Sequence, residues 1–111
     1  METQLVTFEL ANEHYGVNIT AVESTIKLQP ITFVPRAPQY VKGVINLRGV
    51  VLPVVCLRQR FGLPQSEYTK DTRIIVIEID GKKVGIVVDA VTEVLSVQNE
   101  AIEPPSPLVT S

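Results

Sequence analysis

The chain has one cysteine and one histidine, and a thiol beside an imidazole is the obvious nucleophile–base pair to test for. Cys56 lies in VVCL, and a cysteine flanked by aliphatic residues packs as an inert apolar side chain. His14 lies in the polar stretch ANEH, where a solvated turn residue is expected. No third residue to orient the imidazole is evident, so a Cys–His hydrolase has no support. One cysteine and one histidine cannot fill a structural zinc tetrad either. Glu78, Asp80 and Asp89 are of the right type for magnesium, but Asp80 is explained by a turn and Glu78 by a solvent-facing strand position. The polar segment GLPQSEYTKD has a single glycine and no Gly-Lys-Ser, so it offers no phosphate cradle. No enzymatic activity, metal or cofactor is expected.

Arg48 poses a different question. It sits in GVINLRGVVLPVVCL, Gly43 to Leu57, the most apolar run of the chain. The natural geometry for N-L-R-G between two aliphatic runs is a turn or bulge joining two strands, with Gly49 supplying a backbone conformation other residues avoid. An isolated turn arginine is usually just solvated. Here valines and leucines on both sides make the guanidinium project from an apolar surface, which is how an interface anchor is built.

Elements must hold that arginine in place, and composition bounds them. The chain has 111 residues, room for one compact domain or two very small ones. Apolar residues make up 45% against 20% charged, so a core is available and disorder throughout is excluded. The net charge is −2 with Lys and Arg scattered, and the chain has three Phe, three Tyr and no Trp. Both features argue against nucleic-acid binding, which needs a concentrated basic face and stacking aromatics. The N-terminus METQLVTFEL is unlike a secretory signal, and no apolar run is long enough to span a membrane. A single cysteine fits a reducing compartment, so a soluble cytoplasmic protein without membrane insertion is expected.

The chain also resembles itself. Placing Leu5 over Ile74, an offset of 69 (74 − 5), sets LVTFELANEHYGVNITAV over IIVIEIDGKKVGIVVDAV without a gap. Glu9 meets Glu78, Gly16 meets Gly85, Ala21-Val22 meets Ala90-Val91, Gln29 meets Gln98, Pro35 meets Pro104 and Pro38 meets Pro107. Apolar positions stay in phase throughout. Val6, Phe8 and Leu10 alternate with Thr7 and Glu9, a half-buried strand pattern. Asp80-Gly81 between two β-branched runs predicts a two-residue hairpin, whereas the first copy is expected to use a longer turn through Ala11, Asn12, Glu13 and His14. Only LRQRFGL, Leu57 to Leu63, suggests a short helix, stopped at Gly62 with Pro64 beyond. The reading is all-β, a small barrel or sandwich of short strands. The first copy runs on into YVKGVINLRGVVLPVVCL, and the second reaches Ser111 before any such segment, so a truncated chain is expected.

With these stretches in view, the chain strongly resembles the CheW family of bacterial chemotaxis coupling proteins, most specifically in YVKGVINLRGVVLPVV and GIVVDAVTEV. The related regulatory domain of the chemotaxis kinase CheA and the coupling half of CheV are the alternatives. The resemblance implies two intertwined SH3-like five-stranded β-barrel subdomains. The second would span about residues 26–95, and the first about 1–25 plus 96–111, incomplete at its C-terminal end and open to domain-swapped self-association. It implies a non-enzymatic adaptor that couples chemoreceptor cytoplasmic tips to the regulatory domain of CheA. It carries Val22, Gly43, Asn46, Arg48 and Val91 onto positions that line the receptor groove between the barrels. For Val22 and Val91 plain core packing is the competing explanation.

Two departures from the family pattern stand out. Ser24 occupies a position often held by a carboxylate, which leaves Arg48 either to pair with Glu23 or to be freer. Cys56 replaces a common Asp after P-V-V, removing a turn or capping hydrogen bond.

Overall fold

A computed structural model of the chain describes residues 2–64, 66–98 and 108–110, the last as backbone. The described strands are β1 (Glu2–Leu10), β2 (Glu13–Asn18), β3 (Val22–Lys27), β4 (Val41–Leu47), β5 (Val50–Cys56), β6 (Arg73–Ile79), β7 (Lys82–Val88), β8 (Ala90–Gln98) and β9 (Leu108–Thr110). A single short helix, α1 (Leu57–Arg60), follows β5, and a 3-10 turn at Ile19–Ala21 links β2 to β3. The strands form two sheets, one of four in the order β8-β1-β2-β9 and one of five in the order β3-β6-β7-β5-β4. The fold is all-β, and the chain passes from the four-stranded sheet into the five-stranded one and back again.

That path follows the 69-residue repeat. β1, β2 and β3 correspond to β6, β7 and β8, and each sheet takes strands from both copies. The third strand of each copy pairs with the first strand of the other: β8 lies beside β1, and β3 beside β6. Even the register is shared: Val22 opposes Ile77, and their equivalents at the 69-residue offset, Val91 and Phe8, oppose each other. This exchange moves the borders. The expected subdomain limits near 25 and 95 do not coincide with sheet membership, because β3 belongs wholly to the five-stranded sheet and β8 to the four-stranded one. The repeat matches at Pro104 and Pro107, and the closing of the first barrel, lie outside the described residues.

Strand alternation splits the core in two. Val6, Phe8, Leu10 and Val17 of one sheet meet Ile75, Ile77, Ile86 and Val88 of the other, with Leu57 of α1 closing one end. The opposite face of β6 and β7 presents Ile74, Val76 and Val87 to Ile45, Leu52 and Val54 of the β4–β5 hairpin. All six residues of that second cluster come from one sheet, which must therefore curl on itself, as an SH3-like roll does. β6 and β7 thus have both faces covered, which explains their near-continuous aliphatic sequences.

Three hairpins close with two-residue turns. Asp80-Gly81 does so as expected, with φ of 53° and 76°, and Arg48-Gly49 likewise with 53° and 85°. The first copy differs from expectation. Leu10 pairs with Glu13, so Ala11-Asn12 is also a two-residue turn, with φ of 50° and 68°, and His14 lies within β2 opposite Glu9. An alanine at positive φ costs free energy that a glycine would not. The compensation is tertiary: the Ala11 N–H donates to Asp89 Oδ2 at 2.9 Å.

Candidate functional site

Arg48 owes its position to the β4–β5 hairpin. The side-chain oxygen of Asn46 accepts the Gly49 N–H at 2.9 Å and braces the turn. Both Asn46 and Arg48 are exposed. Lower in the hairpin, Val44 donates its N–H to the Thr32 carbonyl and its own carbonyl accepts the Thr32 N–H, each at 2.9 Å, so its polar groups point away from β5. The opposing Pro53 therefore directs its nitrogen away from β4, towards β7. Proline has no N–H to donate, and the parallel ladder between β5 and β7 starts one residue later, at Val54–Gly85.

The hairpin tip consequently stands away from β7. A cleft of about 190 Å³ opens there, lined by Leu47, Arg48, Val50 and Leu52 on one wall and by Glu23 and Lys83 on the other. Glu23 reaches it through a bulge: Val22 opposes Ile77 and Ser24 opposes Val76, so β3 carries one extra residue at this point. Glu23 Oε1 lies 2.6 Å from Lys83 Nζ. Hydrogen bonding and attraction to Glu23 raise the pKa of Lys83, while the nearby charge of Arg48 opposes the shift. Of the two options left open for Arg48, the pairing with Glu23 is not realised. Among the described residues its guanidinium forms no ion pair.

The other four candidate residues are placed differently. Val22 and Val91 are half-buried equivalents that pack against the core between the sheets. Gly43 is buried at a bulge with φ of 153°, where an added Cβ would come within 2.0 Å of the Thr32 carbonyl oxygen. Its first task is therefore to let the segment at Thr32 approach β4. Asn46 acts on the same turn as Arg48, and of the five only Arg48 lines the cleft.

Sequence reading missed a second polar constellation. Arg58 on α1 makes a bidentate pair with Asp89, Nε to Oδ1 at 3.0 Å and Nη2 to Oδ2 at 2.5 Å, and also donates to the Pro64 carbonyl at 2.6 Å. Asp89 stands between β7 and β8, where the chain changes sheets, and its N–H donates to the Glu9 carbonyl at 2.9 Å. Burial disfavours the Asp89 carboxylate, but hydrogen bonds from Arg58 and Ala11 and the guanidinium charge outweigh it and lower the pKa. The same bond to Asp89 raises that of Arg58 against its own desolvation. Asp89 is thus a structural strut rather than a magnesium ligand. No local spacing signals it, because its partners lie 31 and 78 residues away.

The remaining candidates fall into place. Cys56 is buried at the start of α1, where its side chain does not cap the helix. His14 lies in the other sheet, 3.2 Å from Glu9. Glu78 is exposed across the strand pair from Lys83, and Asp80 occupies its turn. Among the described residues no helix is long and apolar enough to cross a membrane.

An exposed, turn-mounted arginine thus stands over a cleft of aliphatic and charged side chains, carried on two interleaved sheets. The pattern of the CheW-like domain matches residues 4–111, and the chain belongs to that family. It is 42% identical over 100 residues to the chemotaxis protein CheW of Bacillus subtilis, covering 90% of this chain and 64% of that protein. It is 32% identical over 111 residues to the CheW of Treponema pallidum, covering 96% of this chain and 65% of the relative. The crystal structure of the scaffolding protein TtCheW from Thermoanaerobacter tengcongensis superposes with a TM-score of 0.87 at 45% identity, covering 96% of this chain and 70% of that one. The chain therefore spans slightly under two thirds of the length of these curated relatives.

Proposed function

We propose that the chain acts as a non-enzymatic adaptor in chemotaxis signalling, docking the cytoplasmic tip of a chemoreceptor and contacting the regulatory domain of the histidine kinase CheA. The observation that carries this reading is Arg48, exposed on a braced turn and free of any ion pair among the described residues, above the walls of Leu47, Val50 and Leu52. A guanidinium in that setting offers planar donors to carbonyls or carboxylates of a helical partner, while the aliphatic walls lose water. Apolar area buried there contributes on the order of 25 cal/mol per Å² before association costs. Asn46 holds the turn. Val22 and Val91 support the frame from the core between the sheets, and Gly43 lets the Thr32 segment close on β4. The adaptor role places the protein at the cytoplasmic face of receptor arrays.

Self-association has its own candidate surface. Among the described strands β8 is an edge with Val94 and Leu95 exposed, and an apolar edge invites strand pairing with a second copy. Sedimentation of wild type against Val94→Lys separates the two cases: a larger wild-type species that dissolves in the variant supports that surface, and identical monomers remove it.

The adaptor reading is tested by capture with a receptor tip fragment and, separately, with the CheA regulatory domain. Wild type is expected to bind both, and Arg48→Ala to lose receptor binding while keeping the CheA contact. Failure of wild type to bind either partner would overturn the reading.

A further inference from the structure

The cleft beneath Arg48 has a feature the adaptor reading does not use: an acid already inside it. Its lining holds two cations, Arg48 and Lys83, and one anion, Glu23. Glu23 spends its charge on Lys83 at 2.6 Å, and Arg48 is left over. Glu78 faces Lys83 across the strands but does not line the cleft. The cation left over stands beside Leu47, Val50 and Leu52, so the site suits an acidic group on an aliphatic stem. Its volume, about 190 Å³, exceeds that of a single water several-fold and admits a side chain.

We propose that this cleft receives a glutamate or aspartate side chain from the docked partner, and that Glu23 is a resident competitor which the incoming carboxylate displaces from Lys83. The proposal rests on the adaptor reading and specifies its chemistry. Before docking, Glu23 satisfies Lys83 and keeps the cleft from presenting two bare cations. On docking, the partner's carboxylate sits between Arg48 and Lys83 and meets both, while Glu23, about one-third exposed, turns to water. Glu23 can do this because the bulge at Val22–Ser24 places it on the rim, outside the aliphatic core. The internal pair thereby acts as a filter: a partner with a neutral side chain at this position does not repay its opening.

The test is a set of dissociation constants for a purified chemoreceptor tip fragment against the full chain as wild type, Glu23→Gln, Lys83→Gln and the double variant. An exposed ion pair contributes little, which sets the expected changes at roughly two- to fivefold. Glu23→Gln is expected to tighten binding by that factor and Lys83→Gln to weaken it. In the Lys83→Gln background, Glu23→Gln should lose its effect, because the competition it relieves no longer exists. An unchanged constant for Glu23→Gln, or the same gain with and without Lys83, overturns the proposal while leaving the adaptor reading in place. Absence of wild-type binding removes both.

Discussion

In the four-stranded sheet the bulge between β1 and β8 is held shut by one side chain. Thr7 Oγ1 accepts the Glu93 N–H at 3.0 Å, reaches the Glu93 carbonyl at 2.9 Å and lies 2.5 Å from Thr92 Oγ1. In the five-stranded sheet the equivalent bulge between β6 and β3 has Val76 in place of Thr7 and Ser24 in place of Glu93. Val76 offers no hydrogen bond, and Ser24 Oγ is buried without a partner. The same backbone irregularity is thus fastened in one sheet and loose in the other. The loose bulge is the one that carries Glu23 into the cleft, and the fastened one holds the edge strand β8. The two copies share the frame, and the side chains behind each bulge set one as a fastened seam and the other as the rim of the cleft.

The sharpest contrast lies at the paired glycines. Gly16 and Gly85 are equivalent, and so are the residues an added Cβ would strike, Leu5 and Ile74. At Gly85 the contact would be 2.8 Å to an isoleucine locked in the core with Leu52 and Val54 close by, whereas at Gly16 it would be 3.1 Å to the end of a leucine. Gly85→Ala is expected to cost about 3 kcal/mol in chemical denaturation and Gly16→Ala less than about 1. Equal losses would break the comparison.

The bulges come next. Thr7→Val leaves the Glu93 backbone groups without their partner and is expected to cost about 1–2 kcal/mol, while Ser24→Ala removes a polar atom that pays desolvation for nothing and is expected to be neutral or slightly stabilising. Thermal melts of both variants decide this.

Asp89 is the junction between the two sheets, and it titrates. Its lowered folded pKa means that its contribution is complete above the usual carboxylate range, near pH 4, and is lost as pH falls through the lower folded value. Asp89→Asn is expected to lose about 1 kcal/mol at neutral pH, discounted for the one-third exposure of the carboxylate, and the gap to wild type should close on acidification. A gap that is constant with pH would remove the strut's electrostatic role. The smallest effect is at the turns. Ala11→Gly relieves positive φ and is expected to gain about 0.5 kcal/mol in thermal melts, more than Asp80→Gly at the equivalent position, because aspartate adopts that backbone more readily than alanine.

These contrasts also separate what the amino-acid order reveals from what it hides. The offset of 69, the Asp80-Gly81 and Arg48-Gly49 turns and the buried Cys56 follow from local pattern, because alternation and glycine chemistry act between near neighbours, whereas the two-sheet exchange pairs strands far apart in the chain and is implied only by the family resemblance. The tight Ala11-Asn12 turn does not, since neither residue demands positive φ and the bond that steadies it comes from Asp89. The cleft is half legible. Arg48 is found from its apolar setting, but the Glu23–Lys83 pair joins residues 60 positions apart (83 − 23) through a bulge that the sequence does not mark. Gly43 shows the opposite limit: the family resemblance puts it on a groove wall, whereas the close approach of Thr32 makes it a backbone requirement first.

The most direct measurement is calorimetric titration of a chemoreceptor tip fragment into wild type and into Arg48→Ala, with the CheA regulatory domain titrated in parallel. Truncating a central anchor commonly costs more than about 1.4 kcal/mol, so receptor affinity should fall roughly tenfold or more while the CheA constant stays the same. Equal receptor affinity for the two proteins would contradict the place given to Arg48.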